Sequence, residues 1–286
     1  MSTDRLTVAM IAELTKWKLS LAVAFSAMTG YLIYEGDSGG GLVAVAAGVF
    51  LLSAGAAALN QYTERKSDAL MARTAVRPLP SGRMAPPAAM LVAAGLLAAG
   101  IIVLWRGGTW PVLLGVLNVI MYNVIYTGLK KKTAAAIIPG ALVGAVPPLI
   151  GYTAAGGAMT DGRILLFALF MFLWQMPHFW LLLIRYGEEY EMAGIRTLHS
   201  RMSETAIIRL VMGWITGSSL LLWILAAIHN PFSTTAALIL LVLNAAFIIA
   251  FARIIRAGFG GRSSKYAFIA FNSFSVLVMV ILIAFA

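Results

Sequence analysis

Nine apolar runs divide the chain, at residues 19–34, 41–61, 86–106, 109–127, 134–155, 164–185, 206–228, 232–252 and 267–286, each bounded by a polar connection. A run of about 18 or more apolar residues, rising about 1.5 Å per residue as a helix, approaches the roughly 30 Å hydrocarbon thickness of a bilayer. The pattern predicts nine membrane helices in one domain covering residues 1–286. Charges precede the first run, but no small-x-small cleavage site follows it, so it is expected to stay as an uncleaved helix. Small residues in SAGAAALNQ, and the pair Gly140 and Gly144, allow close helix approach. Pro147 and Pro148 predict a kink in the fifth helix that frees backbone carbonyls, tolerated in a membrane only against protein or a wet cavity. A central cavity is the expectation that follows.

Composition agrees. The chain of 286 residues is 61% hydrophobic and 11% charged, with mean hydropathy +0.90, against about 45–50% apolar residues in soluble domains. A net charge of +10 would suit nucleic acid, but the basic residues lie in short connections rather than one stripe, which argues against it. Arg5, Lys16 and Lys18 precede the first helix, and Arg65, Lys66, Arg73, Arg77 and Arg83 separate the second from the third. Lys130 to Lys132 follow, then Arg185, Arg196, Arg201 and Arg209, then Arg253, Arg256, Arg262 and Lys265; the opposite side holds Arg106 and Arg163. This asymmetry predicts a cytoplasmic N-terminus and an outside C-terminus; a bacterial plasma (inner) membrane is the expected location. The absence of cysteine excludes disulfides, thiolate catalysis and cysteine-ligated metal.

Candidate chemistry begins at the foot of the second run. Asn60, Glu64 and Asp68 follow at intervals of four, and each such step turns a helix by only about 40°, so one amide and two carboxylates share a side. Such oxygen donors suit Mg²⁺, which keeps several waters and commonly joins protein carboxylates to a substrate's phosphates. Arg73, Arg77 and Arg83 come next, and guanidinium groups match phosphate oxygens bidentately. Together they predict a diphosphate site beside the membrane. The plainer alternative is a wet loop whose arginines set topology.

A second acidic connection, RYGEEYEMAGIRTLHSRMSE, holds Glu188, Glu189 and Glu191, with Tyr186 and Tyr190 at i and i+4 and Arg196 and Arg201 behind. Both acidic connections follow an even-numbered helix, four helices apart, which fits a weak internal duplication and two metals at one cavity mouth. A solvated charge run is the alternative. His178, within LWQMPHFWLLLI, is a candidate base or iron contact, because intramembrane histidine is costly. It would equally serve a carbonyl freed by Pro177. Lys130 and Lys131 suit substrate phosphates or carboxylates, or anionic lipid.

Three segments, NQYTERKSDALMARTAVRPLPSGR, YTGLKKKT with GALVGAVPPLIGY, and WQMPHFWLLLIRYGEEYEMAGIRTL, together resemble the UbiA-type intramembrane prenyltransferases and, within them, the haem-farnesylating branch. The resemblance implies an all-α polytopic fold of nine transmembrane helices around a lipid-accessible central cavity, with an acid-rich Mg²⁺ site at its cytoplasmic end. By position it implies metal and diphosphate binding at Asn60 and Asp68, with Arg73 and Arg77 as the family's basic positions; Glu64 stands where the family usually carries aspartate. Glu188, Glu189, Tyr186 and Tyr190 match acidic and tyrosine positions of the haem branch, whereas Arg196 and His199 stand where it usually has prolines. The implied reaction moves a farnesyl group from farnesyl diphosphate to a vinyl carbon of haem B, giving haem O, with haem as substrate rather than cofactor. Lys130, Lys131 and Arg196 are then candidate phosphate or propionate contacts, and His178 a candidate for positioning the iron or handling a proton. Two other readings compete: prenylation of an aromatic acid or quinone precursor, and a transporter, whose ion site belongs near the membrane centre. Expected partners are the two substrates and the lipid bilayer, with no nucleic acid; an assembly partner such as haem A synthase or a terminal oxidase is left unspecified.

Overall fold

The computed structural model describes residues 7–34, 40–199, 201–228, 234–256 and 262–285. Arg5 and the side chain of Arg262, used in the topology argument, lie outside the described residues. Among those residues all regular structure is helical. A short α1 (Val8–Leu14) leads into α2 (Trp17–Ile33), α3 (Gly40–Asp68) and a single turn, α4 (Ala72–Ala75). Then come α5 (Pro86–Leu104), α6 (Thr109–Ile120), a π-helical turn (Met121–Tyr126) and α7 (Thr127–Leu129). The chain continues through α8 (Ile137–Ala154), α9 (Gly162–Met192), α10 (Glu204–Ile228), α11 (Thr234–Arg256) and α12 (Arg262–Ala284).

Eight helical segments among the described residues are long and apolar enough to cross a membrane, and α2, apolar but 17 residues long, is the ninth. Expected and observed elements thus correspond, with α2 about a turn shorter than most. The ends differ more. Helices α3 and α9 run 29 and 31 residues, roughly 44 and 47 Å at helical rise, well beyond a hydrocarbon core of about 30 Å. Their polar C-terminal turns therefore stand clear of the apolar layer as helix, carrying Asn60 to Asp68 on one and Glu188 to Glu191 on the other. A break at Tyr186 (φ −130°, ψ 16°) re-aims the end of α9.

Outward-facing positions such as Leu91, Val124, Leu238 and Val242 are exposed, as lipid-facing side chains should be. Trp105 and Trp110 are exposed at the α5–α6 connection, and Trp17 and Tyr266 at the starts of α2 and α12; aromatic residues favour the two membrane–water interfaces. Inside, α2 packs between α3 and α8, α9 packs against α8 and α10, and α12 closes the ring against α2 and α9. The α9–α12 side is filled by aromatic rings: Trp174 stacks on Phe271 at 4.2 Å, and Phe247 on Phe274 at 4.4 Å.

The α2–α8 contact is set by glycine. A Cβ at Gly30 would strike the Pro148 carbonyl, and one at Gly151 the Ala27 carbonyl, so each backbone uses the other's missing side chain. Helix α8 runs as one element through the buried Pro147 and Pro148; the irregular backbone of this region is instead the π turn that follows α6. Gly140 and Gly144 also serve a purpose other than helix approach. A Cβ at Gly140 would meet the Phe179 and Tyr126 rings at 2.9 Å, and one at Gly144 the Gln175 side chain at 2.6 Å. Both glycines make room for side chains on a cavity wall.

Gly151→Val is expected to lower the thermal midpoint of the detergent-solubilised protein by several degrees, since overpacking a tight contact costs about 1–3 kcal/mol or more. Gly213→Ala, where a Cβ meets nothing within 4 Å, is expected to hold or slightly raise it. Equal midpoints for Gly151→Val and the parent would contradict this packing.

Candidate active site

Burial defines the site. Asn60, Gln61, Glu64 and Asp68, on the last turns of α3, are at most 5% exposed, and a carboxylate so placed is costly unless paired and hydrogen-bonded. Asp68 Oδ2 accepts from Arg77 Nη1 at 2.7 Å, and Glu64 Oε2 from Lys130 Nζ at 2.5 Å. Asn60 Nδ2 donates to Glu64 Oε2 and to Thr127 Oγ1, both at 3.1 Å, while its Oδ1 accepts from Tyr122 Oη at 3.1 Å and Lys16 Nζ at 3.4 Å. Glu64 Oε1 is buried with no hydrogen-bond partner among the described residues.

Local sequence explains how each cation reaches the end of α3. Arg77 opens the RPLPSG turn, in which Ser81 N–H and Oγ–H both donate to its carbonyl and Met84 N–H donates to the Pro78 carbonyl. Gly82 takes φ +73°, which only glycine adopts without strain. Thr74 Oγ1 donates to the Asp68 carbonyl at 2.7 Å and sets where the turn leaves the helix. Arg83 departs from its expected place: it pairs with Glu13 at 2.6 Å and so ties the turn to α1, away from the carboxylates. Lys130 is held through its own carbonyl, which accepts the Arg196 N–H at 2.9 Å and joins the two basic connections.

Lys16 needs more machinery. Its φ of +46° is the only positive value at a non-glycine among the described residues, a conformation costing of order 1 kcal/mol. Gln61 Nε2 supports the strained turn by donating to the carbonyls of Glu13 and Leu14 at 2.8 and 2.9 Å. The result aims Lys16 Nζ at Asn60 and Tyr122. Burial, with the Arg77 charge second, pushes the Lys16 ammonium down to about 8.

These groups form the mouth of a cavity of about 470 Å³. Lys16, Arg73, Arg77, Lys130 and Arg196 line it against two carboxylates, Glu64 and Asp68, so the mouth is cationic. Further in, Val23, Val49, Leu52, Val119 and Ile150 make an apolar chamber, with Asn118, Gln175 and His178 on its walls. Between lies an aromatic wall: Tyr122 and Tyr126 stack at 6.0 Å and Tyr126 meets Phe179 at 5.9 Å. The π turn supplies both tyrosines, a departure from α-helix that recurs at functional sites.

Nine of the sequence candidates meet here: Asn60, Glu64, Asp68, Arg73, Arg77, Lys130, His178, Tyr190 and Arg196 all line the cavity. Four do not. Glu188 and Lys131 are exposed, and Tyr186 and Glu189 sit at the rim, where Arg73 lies over the Tyr186 ring at 4.9 Å and its N–H reaches Glu189 Oε2 at 3.5 Å. Missing from the sequence reading as site residues were Lys16, Gln61, Asn118, Tyr122, Tyr126 and Thr127. A signal existed for three: Asn118, Tyr122 and Tyr126 recur every four residues, the same spacing as Asn60, Glu64 and Asp68. Lys16 was visible only as a topology charge.

The donor set fits a divalent metal in part. Asn60 Oδ1, the unpartnered Glu64 Oε1 and Asp68 are hard oxygen donors on one wall, yet no three Asp, Glu or His side chains among the described residues form a metal cage. That combination suits Mg²⁺, which keeps waters and shares its remaining positions with substrate phosphates.

The cavity, cationic at one end and apolar at the other, complements an amphiphilic anion in charge and polarity. The UbiA prenyltransferase family model matches residues 23–282, and the chain belongs to that family; it is a prenyltransferase. A protoheme IX farnesyltransferase of Geobacter sulfurreducens is 41% identical over 208 residues, 72% of this chain and 77% of that protein. Among solved structures, an apo UbiA homologue from Aeropyrum pernix shares the fold with a TM-score of 0.77 at 19% identity, over 93% of this chain and 96% of that one. A UbiA homologue from Archaeoglobus fulgidus bound to GPP and Mg²⁺ does so with 0.72 at 14%, over 96% and 98%.

Gln61→Leu is expected to weaken binding of an allylic diphosphate about five- to tenfold although Gln61 does not line the cavity, because two hydrogen bonds of roughly 0.5–1.5 kcal/mol hold the Lys16 turn. Titration of the purified protein with a non-ionising thiodiphosphate checks it. Unchanged affinity would separate Lys16 from the diphosphate.

Proposed function

We propose that the protein transfers a farnesyl group from farnesyl diphosphate to a vinyl carbon of haem B, giving haem O, at a site opening toward the cytoplasmic face of a bacterial inner membrane. The observation that carries the reading is the junction of a cationic mouth and an apolar chamber in one cavity, together with similarity to relatives named protoheme IX farnesyltransferase. The lysine and arginine asymmetry of the connections supports the orientation.

Arg77, Lys130, Arg73 and Lys16 take the diphosphate oxygens, and Asn60, Glu64 and Asp68 hold the divalent ion. Magnesium bound there supplies neutralisation of the charge that builds on the leaving diphosphate. The C1–O bond of farnesyl diphosphate breaks with its electron pair going to the diphosphate, where the fixed cations stabilise it. Tyr122, Tyr126 and Phe179 turn π-electron density toward the allylic cation, and the apolar walls keep water from it. The vinyl π pair then forms the new carbon–carbon bond, leaving positive charge on the carbon next to the macrocycle. Water adds there and loses a proton, completing a hydroxyethylfarnesyl group.

Membranes containing the protein, given haem B, farnesyl diphosphate and Mg²⁺, are expected to yield the hydroxyethylfarnesyl product by mass spectrometry. Asp68→Ala is expected to cut the rate by a factor on the order of 100 or more, with the protein still folded. Full activity in a folded Asp68→Ala would remove Asp68 from the mechanism. Diphosphate release with an aromatic acid or quinone precursor, and none with haem, would keep the site and overturn the acceptor.

A further inference from the structure

His178 lies on the cavity wall within α9, and its Nδ1 is 2.9 Å from Asn272 Oδ1 on α12. The other end of the amide settles who donates. Asn272 Nδ2 donates to the Phe268 carbonyl at 2.6 Å, so the amide oxygen is the atom facing the ring, and it can only accept. Nδ1 therefore carries the imidazole proton and Nε2 a lone pair. Nε2 makes no hydrogen bond to a described residue and is not among the buried unpartnered atoms. Phe268 and Phe179 flank the ring at 5.0 and 5.9 Å and limit its rotation.

We propose that Asn272 is a positioning residue that locks His178 in its Nδ1-protonated form, so that Nε2 faces the cavity as an axial ligand to the acceptor's iron. The inference rests on the haem reading above. A hydrogen-bond acceptor behind a ligating imidazole fixes its tautomer and plane. Holding the iron from one wall fixes the macrocycle, and with it the vinyl group, relative to the diphosphate mouth. A second reason is chemical. A free imidazole lone pair in the cavity that forms an allylic cation is itself a nucleophile, and bonding to iron occupies that pair. The acceptor is a neutral amide rather than a carboxylate, so it orients the ring without driving it toward imidazolate, and the modified haem can leave.

The test uses the full chain in detergent, loaded with haem B and reduced, and reads the iron–histidine stretch by resonance Raman alongside haem affinity. Wild type is expected to show the band, His178→Ala to lose it, and Asn272→Leu to shift it lower with roughly tenfold weaker haem binding. Asn272→Asp keeps an acceptor oxygen and is expected to restore affinity and raise the band, a rescue that general damage to packing would not give. The same band in wild type and His178→Ala, or an unshifted band in Asn272→Leu, would overturn the inference and leave the haem reading standing. Failure of the wild type to take up haem would remove the haem reading, and this inference with it.

Discussion

Two carboxylates nearly sealed from water at the end of α3 are the constraint around which the charged half of the site is arranged. Removing one member of a buried ion pair costs about 3–5 kcal/mol, so Asp68 and Glu64 each oblige a connection to deliver a cation. Arg77 comes on a self-bonded turn, Lys130 on a connection tied to Arg196, and Lys16 on a strained turn held by Gln61. Three separate stretches of chain therefore converge because α3 carries its acids past the apolar layer as helix. The pairs also leave the site poised for its ligand. In the proposed reaction a diphosphate would compete for the same cations, and each one it took would free a carboxylate oxygen for a metal.

The placement of these acids at one end of the cavity separates catalysis from transport. Secondary transporters place their ion ligands near the middle of the bilayer, whereas here both cavity-lining carboxylates, Glu64 and Asp68, sit at the mouth. The inner chamber carries Val49, Leu52, Val119 and Ile150, with the uncharged Asn118 and Gln175 and a single histidine, His178, among them. The same geometry suits a substrate with a charged head and a long apolar tail, the head held among cations and the tail among aliphatic side chains. Glycine makes that chamber possible twice over: at Gly140 and Gly144, where side chains of the wall need the space, and at Gly30 and Gly151, where α2 and α8 close behind it.

Much of this was legible in the residues. Apolar run length gave the helices, because burying backbone polar groups in lipid leaves few other options, and the four-residue spacing of Asn60, Glu64 and Asp68 gave one face of one helix. The second acidic connection read less well. Glu188 and Glu189 sit on a helix that breaks at Tyr186, beside Gly187, and periodicity does not tell whether a glycine breaks a helix or merely sits within it. Gly140 and Gly144 carry a helix-packing pattern, yet only the tertiary fold tells whether backbone or side chain fills the gap. Lys16 was out of reach for a related reason: its role depends on a left-handed turn braced from 45 residues away by Gln61.

In the proposed reaction the metal site is completed by the substrate, the acids of α3 and the diphosphate sharing one ion. Titration calorimetry of the purified protein with farnesyl thiodiphosphate, with and without Mg²⁺, tests it most directly. Binding at least about tenfold tighter with Mg²⁺ is expected, with no such difference in Asp68→Asn. Equal affinity in the presence and absence of Mg²⁺ in the wild type would contradict it.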